Sequence, residues 1–360
     1  MAETKQPSAA EKAVSFFSKF VVPFVFQIFV YSISSFWALV VVYNLIKRYH
    51  KQPSKICAVK KRPLPPKELL DPELGNHSYI HLPHVKLHYV ESGSKEKPLM
   101  ILLHGFPEFW YSWRHQIKEF SKDYWVVAVD MRGYGDSDKP PSVKYYNMKY
   151  LIGDVKNLIE GLGQKKAIVV AHDWGGIVAW QFARLYPEMV EKMVVINAPQ
   201  PTAFRKLMWS TFSQFLKSWY IFFFQLPFLP EVQMLVDDMS FFKGCFRSKK
   251  KGSVMNEDEL EAYKFTYGKP GAFFGPIGYY RANIFSGANK LKKPDANSVE
   301  FPKTFLIFGD DDVAIDSKVV EMSKKFCPNL TTEIVPGGCH FVHEEEPEIV
   351  NAKIKQFLSA

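Results

Sequence analysis

An α/β architecture follows from three features of this 360-residue sequence. Short apolar, β-branched runs alternate with helix-patterned stretches, the rhythm of a mostly parallel sheet flanked by helices. From about residue 200 to 295 that rhythm gives way to aromatic, interrupted helical sequence, which reads as a helical lid inserted between core strands. Ahead of the core, no Asp, Glu, Lys, Arg or His occurs between Lys19 and Lys47, and the run is mostly Phe, Val, Ile and Leu.

A bilayer span needs about 20 apolar residues. Residues 20–46 are therefore expected to form a transmembrane helix behind a polar tail, residues 1–19. Tyr31, Trp37 and Tyr43 suit the membrane interface, and Pro23 is tolerable near one end. The apolar core of a cleaved signal is only about 7–15 residues, so a retained anchor is expected. Seven basic residues follow the span (Lys47, Arg48, Lys51, Lys55, Lys60, Lys61, Arg62) and three precede it (Lys5, Lys12, Lys19). By the positive-inside rule this is a single-pass protein with its C-terminal domain in the cytosol, the endoplasmic reticulum being the expected membrane. Two glycosylation sequons, Asn76-His77-Ser78 and Asn329-Leu330-Thr331, point the other way.

Residues 47–76, with Pro63, Pro65 and Pro66, read as a linker. The formal charge of +9 is concentrated there: residues 47–67 hold eight Lys and Arg and no acid. The part beyond is neutral, which excludes nucleic acid as a partner and strongly charged substrates. The four cysteines show neither paired nor zinc spacing and read as reduced thiols. His77, His81, His84 and His88 fall on alternating strand-like sequence and are read as decorating a hairpin. No metal or cofactor is expected.

The core, residues 77–199 and 296–360, opens with strands at Tyr79–Leu82, Val85–Val90 and Leu99–Leu103, the last ending in His104-Gly105-Phe106-Pro107. Trp125–Asp130 leads into Arg132-Gly133-Tyr134-Gly135, and a helix from about Leu151 to Leu162 precedes the strand Lys165–Val170. Helical spacing from Gly175 to Tyr186 stops at Pro187, and Met193–Asn197 gives another strand. After the lid, residues 200–295, in which Lys249-Lys250-Lys251 reads as a solvated loop, come strands Phe305–Phe308 and Thr332–Val335. A last helix lies near Ile349–Leu358.

Ala171-His172-Asp173-Trp174-Gly175 joins strand to helix through one exposed residue, in the small-x-nucleophile-x-Gly layout of a nucleophile elbow. Taken alone, the same turn can be a plain junction with Asp173 as N-cap. Asp173 needs no base to ionise, its reference pKa being about 3.9. A carboxylate displaces leaving groups from saturated carbon, and water must then cleave the resulting ester. The elbow thus points to an epoxide or an alkyl halide.

Such a nucleophile needs partners in the order nucleophile, acid, histidine, each at a strand end. In Gly309-Asp310-Asp311-Asp312 the third residue past the glycine is expected to turn inward, so Asp312 is the orienting acid. The end of Val194–Asn197 offers only an amide and is set aside for that role. His340 is the base, preferred to His343 because Gly337-Gly338 suits a tight loop reaching into a site. Backbone N–H groups of Phe106 and Trp174 would form the oxyanion hole.

Together, His104-Gly105-Phe106-Pro107, Arg132-Gly133-Tyr134-Gly135, His172-Asp173-Trp174-Gly175-Gly176, Asp312 and His340 resemble the α/β-hydrolase epoxide hydrolases. The resemblance covers residues 77–360, and the N-terminal anchor makes the chain most similar to the membrane-anchored members 3 and 4. It implies an α/β-hydrolase fold and two lid tyrosines that donate hydrogen bonds to the epoxide oxygen. Ser218-Trp219-Tyr220 and Gly278-Tyr279-Tyr280-Arg281 stand where those motifs belong, so Tyr220 and Tyr280 carry over. Tyr279 is an immediate competitor to Tyr280. A haloalkane dehalogenase shares the Asp elbow and the adjacent Trp but does not need two lid phenols. A non-catalytic binding protein of the same fold would show decay at the required positions. The expected substrates are small lipophilic epoxides, fatty-acid derived ones among them, with water as co-substrate.

Overall fold

The computed structural model describes residues 8, 17–58, 60–285 and 301–360. Most of the expected tail, and the expected lid–core junction at 295/296, lie outside those residues.

Among the described residues eight strands form one sheet: β1 (Asn76–Leu82), β2 (Val85–Ser92), β3 (Leu99–Leu103), β4 (Trp125–Val129), β5 (Ala167–His172), β6 (Val190–Ile196), β7 (Thr304–Gly309) and β8 (Leu330–Val335). Their order is β1-β2-β4-β3-β5-β6-β7-β8. The β1–β2 and β2–β4 pairings are antiparallel and the others parallel. Every residue of β3, β4, β5 and β7 is buried. This is why these strands read as unbroken apolar runs: helices cover both faces of a parallel sheet.

The helices begin with α1 (Val22–Lys51), which precedes the sheet. The core adds α2 (Arg114–Phe120), α3 (Met148–Gly161) and α4 (Asp173–Leu185). Between β6 and β7 lie the lid helices α5 (Pro201–Ser210), α6 (Phe212–Lys217), α7 (Trp219–Phe223), α8 (Leu229–Met239), α9 (Phe241–Cys245), α10 (Glu257–Tyr267) and α11 (Phe274–Asn283). The chain ends with α12 (Val319–Lys324) and α13 (Pro347–Ser359). The lid is fastened to the core by Tyr267 Oη donating to Glu108 O at 2.8 Å and Lys217 Nζ to Asp312 O at 2.6 Å. Lys249–Lys251 are exposed, as a solvated loop would be, and each also meets an acid: Lys249 pairs with Asp311, and Lys250 and Lys251 pair with Glu346 at 2.6 and 3.2 Å.

Helix α1 is long and apolar enough to cross a bilayer and runs on to Lys51. One side rests on the lid, with Phe26 against Trp209 and Phe285 and Trp37 against Trp219. The opposite side exposes Phe24, Ile28, Phe36, Leu39 and Tyr43. The basic tract after it is partly spent on lid carboxylates. Arg48 meets Asp237 at 2.5 Å, and Arg62 meets Asp238 at 2.6 Å and Glu261 at 2.9 Å. The lid backbone supports this by kinking inside α8, where Asp237 and Asp238 adopt positive φ. Asp tolerates that region better than most residues. The histidine cluster also divides. His81 and His84 are exposed, whereas His88 is fully buried and bonds Asp130 at 2.7 Å.

Candidate active site

Strand β5 runs directly into α4 through Asp173, whose φ of 45° is uncommon for a residue with a side chain. Close packing requires the glycines around it. A Cβ at Gly175 would lie 2.2 Å from Leu103 O, and one at Gly176 2.3 Å from Ala198 Cβ. Across the turn, a Cβ at Gly105 would lie 2.4 Å from Asp173 Cβ. The His104–Phe106 turn is thereby pressed against the elbow, and Phe106 N donates to Asp173 Oδ1 at 2.7 Å. The other carboxylate oxygen, Oδ2, lies 3.7 Å from His340 Nε2. At that distance the two attract as charges without a hydrogen bond.

His340 Nδ1 meets Asp312 Oδ2 at 2.7 Å, and that aspartate is itself fully held. Its Oδ1 accepts from the backbone of Ala314 (2.7 Å) and Ile315 (2.9 Å), and its Oδ2 also accepts from Asn197 Nδ2 at 2.8 Å. Burial opposes protonation of His340, yet the Asp312 charge, reinforced by Asp173, lifts its proton affinity well above the usual imidazole range. Burial likewise opposes ionisation of Asp312, but the adjacent imidazole and these donors hold its carboxyl below the usual carboxylate range.

The lid closes over this group with aromatic rings. Tyr280 packs edge-on against Trp174 (5.0 Å between centroids), Phe106 (5.5 Å) and Tyr220 (5.8 Å). Burial, then the charge of Asp173, pushes both phenols well above their ordinary range, so both stay protonated. The competitor Tyr279 is turned away and donates to Arg132 O at 2.9 Å. Trp174 N–H belongs to the first turn of α4, where backbone donors have no partner within the helix.

All five expected side chains, Asp173, Asp312, His340, Tyr220 and Tyr280, thus converge with the amides of Phe106 and Trp174. Three further residues escape a reading of the sequence. Asn197, set aside as merely an amide, locks the acid in place: besides gripping Asp312 it accepts from Gly309 N at 3.0 Å. Behind the elbow, fully buried Glu108 accepts from Gly105 N (2.6 Å) and pairs with His172 Nδ1 (2.7 Å). His172 Nε2 in turn meets the backbone oxygen of His340 at 2.9 Å. The clue was the His preceding the nucleophile, but its partner lies 64 residues away.

His343, the alternative base, is fully buried, sits 3.3 Å from Glu108 and is held near pKa 4 by burial and then by His172. Glu108, His172 and His343 bring one oxygen and two ring nitrogens within 4.8 Å of one another, a spacing that suits a cation. Glu108 Oε2 and His172, however, are already spent on each other and on the backbone.

Comparison with known proteins agrees with this geometry. Residues 98–347 match the family model for the alpha/beta hydrolase fold. Epoxide hydrolase 1 of Caenorhabditis elegans is 48% identical over 286 residues, 78% of this chain and 70% of that protein. Epoxide hydrolase 4 of Homo sapiens is 38% identical over 341 residues, 90% of this chain and 92% of that one. The structure of an epoxide hydrolase from Bacillus megaterium in complex with an inhibitor superposes with a TM-score of 0.71 at 31% identity, over 79% of this chain and 100% of the other.

Proposed function

The chain belongs to the epoxide hydrolases of the α/β-hydrolase fold, and from that premise we propose that it converts lipophilic epoxides, fatty-acid epoxides among them, to vicinal diols through an ester on Asp173. The observation that carries this reading is the unequal setting of the two Asp173 oxygens: one accepts from Phe106 N–H, and the other lies 3.7 Å from His340 Nε2.

Oδ2 attacks a ring carbon from behind, the carbon–oxygen bond of the ring breaks, and Tyr220 or Tyr280 protonates the departing oxygen. His340, oriented by Asp312, then takes a proton from water as its oxygen adds to the ester carbonyl. The oxyanion that forms is held by the amides of Phe106 and Trp174. Collapse breaks the bond between the carbonyl carbon and Oδ2, His340 protonates that oxygen, and the diol leaves. The second water proton restores the tyrosine. Two phenols kept protonated by burial and the nearby Asp173 charge favour an oxygen leaving group over a halide.

A single turnover in ¹⁸O-water tests the route, since the first diol should take its new oxygen from Asp173 and remain unlabelled. Label in that first diol would eliminate the covalent path.

Helix α1 supports retention at a membrane; we propose the endoplasmic reticulum as the organelle and the cytosolic side for the catalytic domain. The exposed Lys47, Lys51, Lys55 and Lys61 support that orientation, while Arg48, Lys60 and Arg62 answer to lid acids instead. Asn76 and Asn329 are both exposed, so expression with microsomes gives a direct reading. No mobility shift on glycosidase treatment is expected; a shift at either asparagine would reverse the assigned side.

A further inference from the structure

Helix α7 is only five residues long, too short to hold its own position, so what packs around it decides where Tyr220 sits. Its two sides meet different parts of the molecule. Towards the active site it presents Tyr220, with Phe224 just beyond; their rings lie 5.8 and 4.9 Å from that of Tyr280. Towards the N-terminus it presents Trp219 and Phe222, three apart and therefore neighbours on a helix. Trp219 packs on Trp37 of α1 at 5.4 Å, and Phe222 packs on Phe285, which in turn packs on Phe26 of α1 at 5.8 Å.

A polar contact marks this seat. Ser34, in the middle of α1, is fully buried, and its hydroxyl lies 2.6 Å from Phe222 O and 2.8 Å from Val30 O. A hydroxyl in an apolar helix is costly to bury without an acceptor, and here it reaches the last turn of α7. A helix serving only to hold the protein at a membrane has no need of a buried serine aimed at one lid carbonyl.

We propose that α1 is a working part of the lid: Ser34 and Trp37 are positioning residues that seat α7 and so aim the Tyr220 hydroxyl at the epoxide oxygen. This rests on the assignment of Tyr220 as proton donor given above. Removing the seat slows ring opening, the step in which the phenol gives its proton to the departing oxygen, and spares the later attack of water on the ester, which His340 drives.

The test is a double-mutant cycle on the full-length protein in detergent micelles, with stopped-flow alkylation of Asp173 as readout and styrene oxide as probe. Tyr220→Phe should slow alkylation by about 10–100-fold, below the full range for a general acid because Tyr280 remains. Trp37→Ala should slow it several-fold in the wild-type background and have no further effect beside Tyr220→Phe. Trp37→Phe should restore most of the rate, and Ser34→Ala should give a smaller loss of the same kind. Trp37→Ala, Trp37→Phe and Ser34→Ala should each leave the ester-hydrolysis rate unchanged. Wild-type alkylation by both Trp37→Ala and Ser34→Ala, beside a slow Tyr220→Phe, overturns the seating role alone. Equal slowing by Trp37→Ala in both backgrounds also overturns it, because the residue then acts elsewhere. A Tyr220→Phe enzyme that alkylates at the normal rate overturns both this inference and the donor role beneath it.

Discussion

Asp173→Asn is expected to abolish turnover, lowering kcat by about 10⁴–10⁶-fold, the scale on which a lost nucleophile is felt when its partners remain. Asparagine is the informative replacement. It fills the same volume, still offers Oδ1 to Phe106 N–H, and is among the few residues at ease with a φ of 45°. An alanine there would confound lost chemistry with backbone strain. The variant should show the thermal midpoint of the parent and no mass increase on exposure to an epoxide. Retention of more than about 1% of kcat with purified, sequence-verified protein would refute the nucleophile, given the size of the loss predicted.

The second large effect belongs to His340→Gln. Turnover should fall by about 10²–10⁴-fold, the span of a removed general base, while ring opening continues. The enzyme should therefore stall as an ester, and intact-mass analysis should find one substrate equivalent added, on the peptide bearing Asp173. An unmodified protein after prolonged exposure contradicts the two-step route. The electrostatics add a pH signature. In the resting enzyme two carboxylates outweigh burial and hold the proton affinity of the imidazole well above its usual range. On the proposed route alkylation would convert one of them to a neutral ester, so the proton affinity of His340 would drop just as a base is required. Ester hydrolysis in the parent enzyme should rise with pH through that lowered titration, whereas ring opening, which does not use the imidazole as a base, should not follow it. Identical pH profiles for the two half-reactions contradict the reading.

The elements that built the nucleophile were the most legible in the sequence. A parallel strand buried on both faces must be a continuous apolar run, so β3, β4, β5 and β7 announce themselves, and the glycines at 175 and 176 can be explained by what a Cβ would strike. The lid was legible as a region but not helix by helix, since short helices such as α6 and α7 take their limits from packing. The choice between Tyr279 and Tyr280 shows why. The two are neighbours on α11 and point roughly 100° apart at 3.6 residues per turn. The rotation of α11 is fixed by Gly275, where a Cβ would come within 2.6 Å of Gly133, and by Gly278 against Tyr146. No local pattern carries that contact.

The same holds for charges. The tract after α1 looked like a solvated linker because an ion pair leaves no trace in the sequence around either partner. Arg62 finds Asp238 176 residues later. Asn197 is silent in the sequence for a different reason: a strand-end amide cannot be the acid, and nothing near it in the chain marks it as the residue that holds one.

The hydrogen bond from Phe106 N–H to Oδ1 gives the Asp173 carboxylate a memory. Turning the carboxylate over would break that bond, so the same corner of the side chain would face the substrate every time. On the proposed ester route the outer oxygen would depart with product in each cycle and a solvent oxygen would take its place, while the inner one would never be exchanged. On that route one atom of the group would date from the protein's synthesis, and the other would be as recent as the last molecule released.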